Sequence, residues 1–107
     1  MNLAVASNIT IDDALREATD RYVSANPESQ AGWVEACASM PGGNTRTVLF
    51  FDPFPLTLTE GEGARVRDAD GHEYVDFLGE YTCGLMGHSN PVIRAAIEQK
   101  LQKGINM

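Results

Sequence analysis

The chain has 107 residues, 43% of them hydrophobic and 21% charged, and its 15 acids against 8 bases leave a net charge of −7. That length supports one domain-sized core. Its apolar runs fall far short of the ~20 residues that cross a bilayer, and its scattered acids exclude the clustered Lys and Arg of a nucleic-acid surface. No basic stretch followed by an apolar block opens the chain, so no secretory leader is expected and a cytoplasmic location is the default.

In chain order, residues 1–9 read as an extended lead. Thr10 and Asp13 then have the spacing of a capping box. Ile11, Leu15, Ala18, Tyr22 and Ala25 follow at helical period, predicting a helix over 11–25 that ends at Asn26-Pro27. A second helix is expected over 28–39, with Trp33, Ala36 and Cys37 on its apolar face. Cys37 and Cys83 are the two cysteines. They fit no zinc or disulfide framework and read as small buried hydrophobes. Met40-Pro41-Gly42-Gly43-Asn44 breaks regular structure.

Beyond that loop the pattern turns to β. Val48-Leu49-Phe50-Phe51 is a short apolar run read as a strand, and Asp52-Pro53-Phe54-Pro55 is a link. Residues 56–60 alternate as a strand should, and Gly61-Glu62-Gly63 is a turn. Residues 64–67 and 73–78 flank Asp68-Ala69-Asp70-Gly71-His72, an Asp-Gly hairpin signal. The middle of the chain is therefore expected to be a three-stranded antiparallel sheet. Residues 79–90 form a loop punctuated by Gly79, Gly84 and Gly87. Asn90 and Pro91 have the chemistry of an N-cap and a first helical position. Val92, Ala95, Ala96 and Leu101 mark a helix over 91–103, with Lys100 and Lys103 at its negative end and Gly104 as its stop. The fold class is α+β, with no internal repeat.

Candidate chemistry is sparse. Asp68-Ala69-Asp70-Gly71 has part of a calcium loop, but strands flank it and the further ligands are missing, so the hairpin reading is preferred and no metal is expected. His72 reads as a solvated turn residue, and His88 as a residue that hydrogen-bonds locally to fix the turn before the last helix, ahead of a role in proton chemistry. No Ser-His-Asp spacing, nucleophile elbow or phosphate cradle is present. Arg46 follows the Pro-Gly-Gly-Asn-Thr loop. A guanidinium there suits bidentate carboxylate binding, although on the residues alone a surface salt bridge is the simpler reading. Tyr81, in the glycine-flanked loop, reads by itself as a packing residue.

Three stretches together resemble the class III aminotransferases. These are residues 40–46, the run from Gly63 to Phe77 with its Asp-x-Asp-Gly-x-x-Tyr-x-Asp hairpin, and Gly87-His88-Ser89-Asn90-Pro91. The Pro-Gly-Gly loop with its following Arg is similar to glutamate-1-semialdehyde aminomutases and their transaminase relatives. Residues 48–56 with Gly79-Glu80-Tyr81-Thr82 resemble β-amino-acid aminotransferases for β-phenylalanine-type substrates. The resemblance implies the N-terminal part of a fold type I enzyme that uses pyridoxal 5'-phosphate. It implies that Arg46 meets the substrate carboxylate and that Tyr81 lines the substrate pocket, where aminomutases typically carry Trp.

The cofactor lysine, the acid facing the pyridinium nitrogen and the phosphate donors of the family lie beyond the matched stretch. Lys100 and Lys103 match none of them. The chain by itself is therefore expected to hold no cofactor and to be inactive, with no catalytic residue of its own. The expected organisation is a helical segment over 1–40, the sheet and substrate-side loops over 41–90, and a helix over 91–107 leading toward a large cofactor domain. Its expected partners are amino-acid and keto-acid substrates, the remainder of its own chain and a second subunit of a homo-oligomer. Two other readings stand beside the transaminase: an aminomutase, which needs no keto-acid acceptor, and a non-enzymatic binding or assembly module.

Overall fold

The computed structural model describes residues 10–105, so the expected lead over 1–9 lies outside the described residues. The chain forms two compact units, divided between Pro55 and Leu56.

The first unit carries two helices. Helix α1 spans Ile11–Ala25 and begins with the predicted box: the Thr10 side chain accepts the Asp13 amide, and the Asp13 carboxylate accepts the Thr10 amide. Helix α2 spans Pro27–Cys37, one residue earlier at its start and two at its end than the sequence suggested. Asn26 serves both, closing α1 and opening α2. It is buried, and its Nδ2 donates to the Tyr22 carbonyl at 2.7 Å.

The core of this unit is aromatic. Phe54 is 1% exposed. Tyr22 lies 5.1 Å from it by ring centroid and donates its hydroxyl to the Phe54 carbonyl at 2.8 Å. Trp33 stacks on Phe54 at 6.3 Å. Phe51 meets Tyr22 edge-on at 6.2 Å, and Phe50 meets Trp33 at 6.4 Å. Each such pair contributes about 0.5–1.5 kcal/mol beyond the burial itself. This packing corrects the expected strand at 48–51. Thr47–Leu49 is a 3-10 turn, closed by the Leu49 amide on the Arg46 carbonyl at 3.0 Å. Phe50 and Phe51 turn toward different aromatic partners instead of alternating across a sheet. The cysteine expectation is corrected as well: Cys37, at the end of α2, and Cys83, in the loop before the last helix, are both exposed.

The second unit is the antiparallel sheet followed by a helix. Strands β1 (Leu58–Glu62), β2 (Arg65–Asp68) and β3 (Glu73–Val75) lie in that order. The first strand sits two residues later than predicted. An irregularity between Leu58 and Glu60 shifts its register, and Glu62 pairs with Arg65 across a tight turn at Gly63-Ala64. The Asp-Gly hairpin forms as expected, with Gly71 at φ 89°. β3 ends at Val75, three residues before the predicted end, and Asp76 Oδ1 caps the turn that follows. Val66 is the buried apolar residue of this sheet. Helix α3 spans Pro91–Leu101, and the Asn90 side chain caps it by accepting the Val92 and Ile93 amides. It stops two residues before the predicted end, and Gly104 follows at φ 123°. Its apolar side chains Val92, Ile93, Ile97 and Leu101 are exposed. No described helix is long and apolar enough to cross a membrane. The fold class is α+β.

Candidate functional site

The two residues the sequence singled out sit on structured loops, one in each unit. Arg46 follows the Pro41–Gly43 3-10 turn, where Gly42 and Gly43 adopt φ 71° and 67°. A side chain at Gly43 would clash with Trp33 and Cys37, its Cβ 2.7 Å from each. The loop is pinned further: Trp33 Nε1 donates to the Gly42 carbonyl at 3.2 Å. Asn44 Oδ1 accepts the Arg46 amide at 3.1 Å, and the Arg46 carbonyl accepts from Leu49. The backbone of Arg46 is thus held from both sides while its side chain is exposed. Among the described residues no carboxylate forms an ion pair with its guanidinium.

Tyr81 lies in a 3-10 turn over Gly79–Thr82 and is half exposed. Its φ is 53° and that of Thr82 is 79°. Two consecutive non-glycine residues in the left-handed region are rare, and a β-branched Thr there is an outlier. The turn is shaped by Asp76. Asp76 Oδ1 accepts the amides of Leu78 and Gly79 at 2.8 and 3.0 Å. His88 Nε2 lies 2.7 Å from Asp76 Oδ2. The Gly79 amide, then His88, then the Leu78 amide hold the Asp76 carboxyl below its ordinary range. It is therefore ionised at neutral pH, and the His88 nitrogen facing it carries the proton.

His88 holds its turn through partners distant in sequence, where local hydrogen bonds were expected. Its amide donates to the Gly63 carbonyl at 2.8 Å and its carbonyl accepts the Gly63 amide at 3.0 Å. Its ring covers Gly61, where a Cβ would come within 2.9 Å. Gly87 passes so close to Gly63 that a Cβ there would lie 2.8 Å from the carbonyl oxygen. Neither Asp76 nor its link to His88 was found from the sequence. The last Asp of the Asp-x-Asp-Gly-x-x-Tyr-x-Asp run was the available signal.

The hairpin tip has its own carboxylate centre. Asp68 is 2% exposed. Its Oδ1 accepts the His72 amide at 2.8 Å, and its Oδ2 accepts the Tyr74 hydroxyl at 2.8 Å and faces His72 Nδ1 at 3.0 Å. Those hydrogen bonds outweigh burial, which acts in the opposite direction, and hold its carboxyl below the usual range. His72 is thus exposed but not free in its turn. With Asp68 engaged this way, the Asp-rich segment is a hairpin lock.

Lys100 and Lys103 are exposed, Lys100 in the last turn of α3 and Lys103 just past it. Neither stands in an enclosed site with an acid and phosphate donors, so the described residues do not fit a pyridoxal phosphate anchor.

Residues 51–107 match the family model for class III aminotransferases. The β-phenylalanine transaminase of Variovorax paradoxus is 50% identical over 101 residues, covering 94% of this chain and 23% of that protein. The crystal structure of a β-phenylalanine aminotransferase from the same organism superposes with a TM-score of 0.84 at 52% identity, over 92% of this chain and 23% of the other. The glutamate-1-semialdehyde 2,1-aminomutase of Methanosarcina acetivorans is 36% identical over 77 residues, covering 72% of this chain and 18% of that enzyme. The chain thus spans about a quarter of the length of these relatives or less.

Proposed function

The chain belongs to the class III aminotransferase family, and from that premise we propose that it supplies the substrate-carboxylate side of a transaminase acting on β-amino acids with an aromatic substituent. Arg46 binds the substrate carboxylate and Tyr81 borders its side chain. The observation that carries this reading is the state of Arg46. It is a guanidinium on a backbone held from both sides, exposed, and without a carboxylate partner among the described residues. An Arg fork held in that way matches the geometry of a carboxylate. The 50% identity to a β-phenylalanine transaminase supports the substrate class.

Class III aminotransferases use pyridoxal phosphate, which supplies the electron sink for chemistry at the amino-bearing carbon. The described residues offer it no anchor, so we assign its binding to the part of the enzyme outside this chain, and with it all proton transfer. The chain alone is then inactive, and its part is to bind and orient. In this division of labour, the 1–40 segment contributes helices α1 and α2, the 41–90 segment carries the substrate-side loops, and the 91–107 segment leads toward the cofactor domain. The exposed apolar face of α3 then packs on the rest of the enzyme or on a second subunit of a cytoplasmic homodimer.

The test is amino transfer by the complete enzyme that carries this sequence. Supplied with β-phenylalanine and a keto acid, it should form the aminated acceptor. Absence of transfer from every β-aryl β-amino acid tried would refute the substrate class. A second reading, an aminomutase, rests on the 36% identity to the Methanosarcina enzyme. It predicts that glutamate-1-semialdehyde is isomerised with no keto acid added, whereas the transaminase requires the acceptor.

A further inference from the structure

The loop that carries Tyr81 is held in a conformation it would not adopt alone. Tyr81 and Thr82 both have positive φ, 53° and 79°. Residues in such regions are strained and persist only where their surroundings over-determine them. The over-determining contacts form one continuous path within the second unit. At its base, His88 is fixed to Gly63 by two backbone hydrogen bonds and lays its ring on Gly61. From there the His88 ring holds Asp76 Oδ2 at 2.7 Å. Asp76 Oδ1 in turn takes the Leu78 and Gly79 amides. At the far end the Gly84 amide closes on the Gly79 carbonyl at 2.9 Å, an approach that leaves only 3.0 Å for a Cβ at Gly84. Tyr81 sits inside that closed loop.

An isolated Asp caps such a turn in several rotamers. Here the second carboxylate oxygen is immobilised by a side chain rooted in the sheet, so the plane of the carboxylate, and with it the direction of the turn, is set. We propose that Asp76 and His88 are positioning residues that hold Tyr81 against the substrate side chain. Neither touches the substrate, and both act through the Gly79–Thr82 turn. This inference rests on the reading of Tyr81 as a pocket residue.

The experiment is a double-mutant cycle in the complete holoenzyme with Asp76→Ala, Tyr81→Ala and the pair combined. A shift of about 1 Å in a positioned group costs as much as about 100-fold. Asp76→Ala should therefore lower kcat/KM for a β-aryl β-amino acid by about 10- to 100-fold. The loss for β-alanine, which has no side chain to meet Tyr81, should be several-fold smaller. In the Tyr81→Ala background, Asp76→Ala should add little, since the two changes remove one interaction. His88→Gln, whose amide can still donate to Asp76, should retain most of the activity that His88→Ala loses. Should Asp76→Ala fail to accumulate as holoenzyme, His88→Ala runs the same cycle.

Additive losses, or equal losses for both substrates, overturn the positioning role while leaving Tyr81 in the pocket. A Tyr81→Ala enzyme with unchanged kcat/KM for the aryl substrate overturns the pocket reading and this inference with it.

Discussion

His88 Nε2 lies 2.7 Å from Asp76 Oδ2, although twelve positions separate the two residues in the chain. The contact ties the end of the hairpin to the turn that precedes α3. It leaves the second oxygen of Asp76 to cap the loop that follows. Its acid partner is held below the ordinary carboxyl value of 3.8, as are Asp13 and Asp68.

The sign of the resulting pH dependence is fixed. A carboxyl whose value is depressed in the folded state binds its proton more readily in the unfolded chain. Its contribution to stability is fully present above 3.8 and is lost as pH falls through the lower folded value. Stability in urea should therefore be flat over the range from about pH 5 to 7 on account of these groups, and should fall below about pH 4. Equilibrium unfolding followed by circular dichroism measures this. In Asp68→Asn the acid-side fall should be shallower, because one of the three groups no longer titrates.

Asp68 is the centre of the hairpin tip. Replacing it with Ala removes the charged acceptor to which the Tyr74 hydroxyl and the His72 amide donate. A hydrogen bond to a charged group contributes about 1.5–3 kcal/mol. Asp68→Ala should lower the unfolding free energy by about that amount or more, read as a drop in the denaturant midpoint. Tyr74→Phe should cost less, because it removes a donor without leaving one unpaired on its own side.

Thr82 offers a change in the opposite direction. At φ 79° a β-branched side chain is strained, and Gly is not. Thr82→Gly relieves about 1–3 kcal/mol of strain, partly offset by the greater freedom Gly gives the unfolded chain. The net expectation is a gain of about 1 kcal/mol in stability, measured by thermal unfolding. If the same substitution lowers kcat/KM for aryl substrates, stability and the orientation of Tyr81 trade against each other at this turn.

Several features were legible in the sequence because they depend on neighbours. The Thr10 and Asp13 box, the Asn90-Pro91 start of α3 and the Asp-Gly hairpin each follow from chemistry within a few residues. The failures have a common cause in longer-range packing. Val48 to Phe51 has strand composition, yet Trp33 and Tyr22 draw its two Phe rings into an aromatic cluster. The first strand runs two residues later than its alternating pattern suggests, and it carries an irregularity between Leu58 and Glu60 that no local residue type announces. Cys37 and Cys83 are apolar enough to bury but fall at a helix end and in a loop. Of the candidate site, Arg46 and Tyr81 were reached through family resemblance. The exposed state of Arg46 and the Asp76–His88 link required coordinates, since neither spacing nor composition brings those atoms together.

If the guanidinium of Arg46 receives a substrate carboxylate, its removal separates substrates that carry that group from those that do not. In the complete enzyme, kcat/KM of Arg46→Ala is measured for β-phenylalanine and for 1-phenylethylamine, a related amine that lacks the carboxylate. A hydrogen-bonded charge pair contributes about 1.5–3 kcal/mol, so the variant should lose about 10- to 100-fold on the amino acid, mostly through KM. It should lose little on the amine. Equal kcat/KM values for wild type and variant on β-phenylalanine, or an equal loss on both compounds, would contradict the claim.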